Sequence, residues 1–215
     1  MKTMKILVTA GPTRESIDPV RFISNHSTGA MGYAIAGAAQ ARGHKAILVT
    51  GPTHLLPPKK VKVIRATTAE DMFKAVKAQG KGVDCVIMAA AVSDFRPALY
   101  RTKKLKRAHA PGVISLKQNP DILAWLGSRK TKPLLVGFCM ETEALARNAQ
   151  KKLLAKNLDM VVANKISVNK TPFGTGMTSV IIIDKEKKAR SLKSVTKEKV
   201  AAVLLDKIEK LWYKD

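Results

Sequence analysis

The residues whose types and spacing could do chemistry sit just after apolar runs. Ala10-Gly11-Pro12-Thr13-Arg14 closes the first such run, and Ser27-Thr28-Gly29-Ala30-Met31-Gly32 leads into the helical pattern Tyr33-Ala34-Ile35-Ala36. Small residues there let a backbone approach a ligand, and the unpaired N–H groups of a helix start attract phosphate. Read without a ligand, Gly29 and Gly32 only pack a helix start. A dinucleotide fingerprint would follow the strand directly with three glycines at fixed spacing. Here a long polar loop intervenes, which argues against a plain NAD-binding domain.

A second segment is Met88-Ala89-Ala90-Ala91-Val92-Ser93-Asp94-Phe95-Arg96-Pro97. Three alanines at a strand end leave room for a flat ligand beside the backbone. Asp94 suits a sugar hydroxyl or a basic partner; without a ligand it is a turn or cap residue. The third segment, Arg101-Thr102-Lys103-Lys104-Leu105-Lys106-Arg107, is too charged for a core element. It reads either as an exposed basic loop or as a flap over a polyphosphate, where lysines neutralise developing charge.

These segments need elements to hold them. Short apolar runs at Ile6–Ala10, Ala46–Thr50, Val61–Arg65, Val83–Ala89, Leu134–Phe138 and Met160–Ala163 read as strands. Helical patterns at Tyr33–Arg42, Ala69–Gln79, Asp121–Leu126 and Glu143–Lys156 separate them. Continuous apolar strands alternating with helices predict an α/β fold: a Rossmann-like, doubly wound, mainly parallel sheet. Thr178–Asp184 and Ala189–Leu192 flank a charged turn and predict a C-terminal hairpin arm. Val200, Val203, Leu204, Ile208 and Leu211 share one face of a closing helix. The expectation is a single domain over residues 1–215.

Composition narrows the function classes. The chain has 215 residues, 46% apolar, and a formal net charge of +23. Its basic residues are dispersed rather than gathered on one element, and aromatic residues make up 5%, too few for a platform that stacks single-stranded bases. The charge therefore reads as a shell that steers small anions, with nucleic acid not expected as a partner. No apolar window is long enough to span a membrane, and the N-terminus lacks a signal-peptide pattern. Two cysteines, Cys85 and Cys139, lie in or beside apolar runs and read as buried thiols of a cytoplasmic protein.

Val8-Thr9-Ala10-Gly11-Pro12-Thr13-Arg14-Glu15 followed by Ile17-Asp18-Pro19-Val20-Arg21-Phe22-Ile23-Ser24-Asn25-His26-Ser27 resembles the opening of phosphopantothenoylcysteine synthetases. These are the synthetase half of a bifunctional phosphopantothenoylcysteine decarboxylase/phosphopantothenate–cysteine ligase family. The likeness continues through Ala89–Arg96, Lys104-Leu105-Lys106, Gln118-Asn119-Pro120-Asp121-Ile122, Gly137–Thr142, Lys156–Asp159 and Asn164.

The resemblance implies a ligase of coenzyme A biosynthesis. It would join 4′-phosphopantothenate and L-cysteine through an acyl-cytidylate, with CTP as co-substrate and Mg2+ on the phosphates. It implies Asn25 and Lys104 as catalytic residues. It assigns the nucleotide to Met88, Ala89, Ala90, Asp94, Lys104, Pro120, Asp121, Ile122, Leu123, Phe138, Lys152 and Lys156. It assigns the substrate to Arg21, Asn25, Ala90 and Ala91, gives no metal ligands, and implies a homodimer. Ala30 stands where that family usually has lysine, and Cys139-Met140 where it usually has two alanines.

Simple geometry pulls against two of these residues: a crossover helix beginning near Glu143 should carry Lys152 and Lys156 away from the strand ends at ~1.5 Å per residue. The flap, Asp94 to Gly112, has few apolar anchors and is expected to move when no anion lies beneath it. Two other classes are weighed beside the ligase: a non-catalytic nucleotide-binding module of the same fold, and a basic nucleic-acid-binding protein.

Overall fold

The computed structural model describes residues 2–106, 112–141, 143–165 and 176–213. Lys5–Ala10 (β1), Lys45–Thr50 (β4), Lys62–Arg65 (β5), Cys85–Met88 (β6), Leu134–Glu141 (β9) and Met160–Lys165 (β10) are parallel neighbours. Thr178–Asp184 (β11) and Ala189–Val195 (β12) add antiparallel to β10. The result is one eight-stranded sheet in the order β12-β11-β10-β9-β6-β1-β4-β5. The hairpin thus corrects the expected arm: β11 pairs with β10 along Met160–Asn164, so apolar Val180, Ile182 and Ile183 are buried in the sheet.

Helices cover both faces. Ala30–Ala41 (α1) and Lys197–Trp212 (α5) pack on one face around Ile35, Leu48, Val162 and Leu204. Ala69–Gln79 (α2), Ile122–Gly127 (α3) and Leu145–Ala155 (α4) cover the other around Met72, Val86, Leu126 and Val161. This explains why β6 is apolar along its whole length and β1 from Ile6 to Val8: both faces are dry. Side-chain caps fix several helix starts. Thr68 accepts from the Asp71 amide while Asp71 returns to the Thr68 amide, a capping box. Asp121 and Thr196 cap α3 and α5 in the same way from one side.

From β1 the chain moves outward to β4 and β5, then returns to build β6, β9 and β10 on the other side. The strand order therefore switches direction between β1 and β6, and a cleft opens there beyond the carboxyl ends of the strands.

Candidate functional site

The loop after β1 is a short ribbon. Arg14–Ser16 (β2) pairs antiparallel with Phe22–Ser24 (β3). Three-residue strands in a polar loop leave no periodicity, which is why the sequence reads as irregular there. The ribbon delivers Asn25 to the switch point, where Asn25 Nδ2 donates to the Ala91 carbonyl at 2.9 Å.

The backbone after β6 is held by β1 and its loop at every step. Ala90 N donates to Thr9 Oγ1 at 3.1 Å, Ala91 N to the Gly11 carbonyl at 2.9 Å, and Ser93 N to Thr13 Oγ1 at 3.0 Å. Buried Thr9 and Thr13 thus act through their hydroxyls to fix residues 90–93, a role that no local pattern in the sequence signals. Gly29 caps α1 at φ 83, in the left-handed region that glycine enters freely. Its neighbours Ser27 and Thr28 accept from the amides of Gly29 and Ala30 through their hydroxyls.

Two adjoining cavities follow the switch. The first, about 620 Å³, brings Met88, Ala90 and Asp94 together with Pro120, Asp121, Ile122 and Leu123; Phe138, Lys152 and Lys156 close it. The second, about 600 Å³, holds Asn25 with Ala89, Ala90 and Ala91, and shares Asp94, Phe138 and Lys152 with the first. Arg21 and Lys104 line neither cavity.

Lys152 and Lys156 correct the geometric expectation. Helical side chains tilt toward the helix N-terminus, so a long lysine on α4 reaches back up toward the strand ends. Lys152 Nζ donates to the Phe138 carbonyl at 2.7 Å, and Lys156 Nζ reaches Asp121 at 2.5 Å. Partial burial works to raise the Asp121 pKa, but the Lys156 hydrogen bond and the Ala124 amide outweigh it and hold the carboxyl below the usual range.

Asn119 is a site residue that the sequence does not single out. It donates to the Ser93 carbonyl at 2.8 Å and accepts from Arg96 at 2.6 Å, tying Phe95–Pro97 (β7) and Leu116–Gln118 (β8) to the cavity rim. The Cys139 thiol lines the second cavity. Burial raises its pKa against the pull of Lys152, so it is a protonated thiol there. Among the described residues no group of three or more His, Cys, Asp or Glu side chains could hold a metal ion.

The basic segment has an anchor that the sequence does not reveal. Asp18, 2% exposed, accepts from the Val20 and Arg21 amides, from the Arg21 guanidinium and from the Leu105 amide. Arg21 Nη2 also donates to the Leu105 carbonyl at 2.7 Å, and Arg101 N donates to the Ile17 carbonyl. Lys104 is therefore exposed on a segment clasped at Leu105, which corrects the picture of an unanchored flap up to that residue. Residues 107–111 of the expected flap lie outside the described residues.

The Arg21 guanidinium beside Asp18 holds its carboxyl well below the usual carboxylate range. A depressed folded pKa stabilises the protein above the unfolded carboxylate pKa of ~3.9 and loses that contribution as pH falls from there through the folded value. The difference in melting temperature between the wild type and Asp18→Asn should be widest at neutral pH and shrink below about pH 4. A difference independent of pH would show that Asp18 acts only through packing.

Helices on both faces of a mainly parallel sheet, with a cleft at the strand switch, define an α/β protein that opens a ligand-sized trough at its strand ends. The chain belongs to the family described as DNA/pantothenate metabolism flavoprotein C-terminal domain, which matches residues 1–211. It is 42% identical over 207 residues to the coenzyme A biosynthesis bifunctional protein CoaBC of Bacillus subtilis (strain 168), covering 96% of this chain and 51% of that protein. It is 43% identical over 206 residues to a protein of an unknown prokaryotic organism named cysteine/cysteine sulfinic acid decarboxylase, covering 95% of this chain and 57% of that protein. The chain thus spans about half the length of these relatives. A crystal structure of the C-terminal domain of CoaBC superposes with a TM-score of 0.86 at 41% identity, covering 100% of this chain and 98% of that one.

These findings correct the resemblance to the synthetase. The matching family is described as a flavoprotein domain and one relative is named as a decarboxylase, and both descriptions point away from a ligase that uses CTP and Mg2+. The ligase reaction, its CTP and its Mg2+ are set aside accordingly. The pathway expectation agrees with the relatives, since CoaBC is named for coenzyme A biosynthesis. No helix among the described residues is long and apolar enough to cross a membrane.

Proposed function

We propose that this chain is one domain of a coenzyme A biosynthetic enzyme, and that its trough holds a phosphorylated pantothenate compound beside a mononucleotide. The observation that supports this best is the pair of adjoining cavities at one strand switch, edged by Lys152 and Lys156. Their shared wall at Ala90, Phe138 and Lys152 would bring two ligands into contact. Met88, Pro120, Ile122, Leu123 and Phe138 supply apolar wall for a ring, and Asp94 and Asp121 suit sugar hydroxyls. Lys152 and Lys156 suit a phosphate. Asn25, Ala90 and Ala91 form the side for the pantothenate compound. Arg21 and Lys104 line neither cavity; Arg21 belongs to the clasp and Lys104 precedes the clasped Leu105, so a role for either needs the ligand itself to reach them.

The sheet is read as Rossmann-like and doubly wound, with its switch between β1 and β6. The enzyme is read as a cytoplasmic homodimer. Two free cysteines support the compartment, and the half-open edge strand β12 supports pairing.

The family's description raises flavin mononucleotide, which supplies reversible electron transfer at its ring when bound. The lysine end fits its phosphate. The aromatic rings on the wall are the single side chains Phe95 and Phe138, which suit a ring of any size and are not particular to a tricyclic one. The chemistry these residues select is therefore a phosphate on a ring-bearing nucleotide.

Calorimetric titration with 4′-phosphopantothenate, flavin mononucleotide and a panel of nucleoside phosphates tests the reading, with visible absorbance reporting the flavin. Saturable binding of 4′-phosphopantothenate and of one mononucleotide is expected. Lys152→Gln should weaken the mononucleotide by about tenfold, the value of one charge-assisted hydrogen bond. Absence of saturable binding by all of these would overturn the reading.

A further inference from the structure

Lys197 is placed where a lysine costs stability. It is 7% exposed, in a chain whose other lysines are mostly at the surface. It is the first residue of α5, so its ammonium lies at the positive end of the helix dipole. Among the described residues no carboxylate stands within ion-pair distance, and its hydrogen bond runs to a neutral acceptor, the Gly176 carbonyl, at 3.1 Å. Desolvation lowers its pKa, and nearby Glu198 only partly offsets this. Burying an ammonium without a compensating anion is unfavourable.

The same lysine lines the second cavity, opposite in the chain to the residues that make its other wall. Asn25 comes from the β3 loop, whereas Lys197 comes from the C-terminal helix. Asn164 and Thr178, joined by a 3.0 Å hydrogen bond between Asn164 Nδ2 and Thr178 Oγ1, line the cavity with it. Each of these side chains can donate to oxygen, and the α5 amides add positive potential. Asp94 and Glu141 are the carboxylates on this cavity's wall, and Asn148 donates to Glu141 at 3.0 Å.

We propose that Lys197 is the anion anchor of the second cavity and receives the phosphate monoester of the pantothenate compound. The proposal rests on the reading of that cavity as the pantothenate side. A buried cation that lacks an anionic partner in the protein gains one when the ligand binds. The cost of burying it then becomes selectivity for the phosphorylated form over the free alcohol.

The test compares 4′-phosphopantothenate with pantothenate, by titration, in the wild type, Lys197→Met and Lys197→Arg. The wild type should prefer the phosphorylated compound by roughly ten- to a hundredfold, the worth of a hydrogen bond between charged groups. Lys197→Met should bring the ratio close to one, and Lys197→Arg should retain part of it. The melting temperature of unliganded Lys197→Met should equal or exceed that of the wild type, because an uncompensated buried charge has gone. A merely structural lysine would lower the melting temperature and leave the ratio unchanged. A wild type that binds neither compound would sink the reading of the cavity and this inference with it. A wild type that discriminates, with Lys197→Met discriminating equally, would sink this inference alone.

Discussion

Asn25→Asp is expected to weaken binding of 4′-phosphopantothenate by at least ten- to a hundredfold while leaving the fold intact. The amide holds the loop by donating to the Ala91 carbonyl at 2.9 Å. A carboxylate has no hydrogen to give, so two acceptors would face one another at that distance, and the loop would draw back from the switch point. The new charge would also repel an anionic ligand. A hydrogen bond to a charged group contributes roughly 1.5–3 kcal/mol, which sets the lower bound on the loss. Asn25 is exposed, so stability should change little. Titration and a thermal melt of the same preparation separate the two effects. An unchanged affinity would remove Asn25 from the site.

The reach of the sequence can be judged from the same neighbourhood. β1 is legible because Ile6–Ala10 is apolar but for Thr9, as suits a strand covered on both faces. β4, β6, β9 and β10 follow the same logic, and their parallel order follows from the helices between them. The ribbon β2–β3 is not legible, because three-residue strands in a polar loop carry no period. α1 starts at Ala30 rather than near Tyr33, since its cap is a left-handed glycine without a side-chain signal.

The site divides similarly. Residues at strand ends, such as Met88, Ala90 and Asp94, can be placed from the rule that ligands bind there. Lys152 cannot, because its contact depends on side-chain direction, and the spacing of Cα positions alone points elsewhere. Asp18 reads as part of a turn, and its hold on Leu105 joins residues 87 positions apart. Lys197 reads as one more solvated lysine among Lys197, Lys199 and Lys207. Its burial comes from the tertiary packing of α5 against the sheet, and no local pattern encodes that.

The other large effect is expected at a residue that touches no ligand. Gly51 follows β4, and its amide donates to the Ala10 carbonyl at 2.9 Å. A Cβ built there would stand 1.8 Å from the Pro12 carbonyl oxygen and 2.8 Å from its carbon. Backbone is the obstacle, so no side-chain rotation relieves it. Pro12 must retreat, and Pro12 pairs with Ala91, the residue on which Asn25 hangs. Overpacking of this kind costs about 3 kcal/mol or more. For a chain of this size that corresponds to a fall in melting temperature of roughly 6–12 °C. Gly51→Ala should therefore lose stability and, in the fraction that folds, affinity for 4′-phosphopantothenate. Gly112→Ala is the control, since a Cβ there meets nothing within 4 Å. If Gly51→Ala melts within about 2 °C of that control, the loop after β1 is free to give way, and the coupling between the β4 turn and the switch point does not exist.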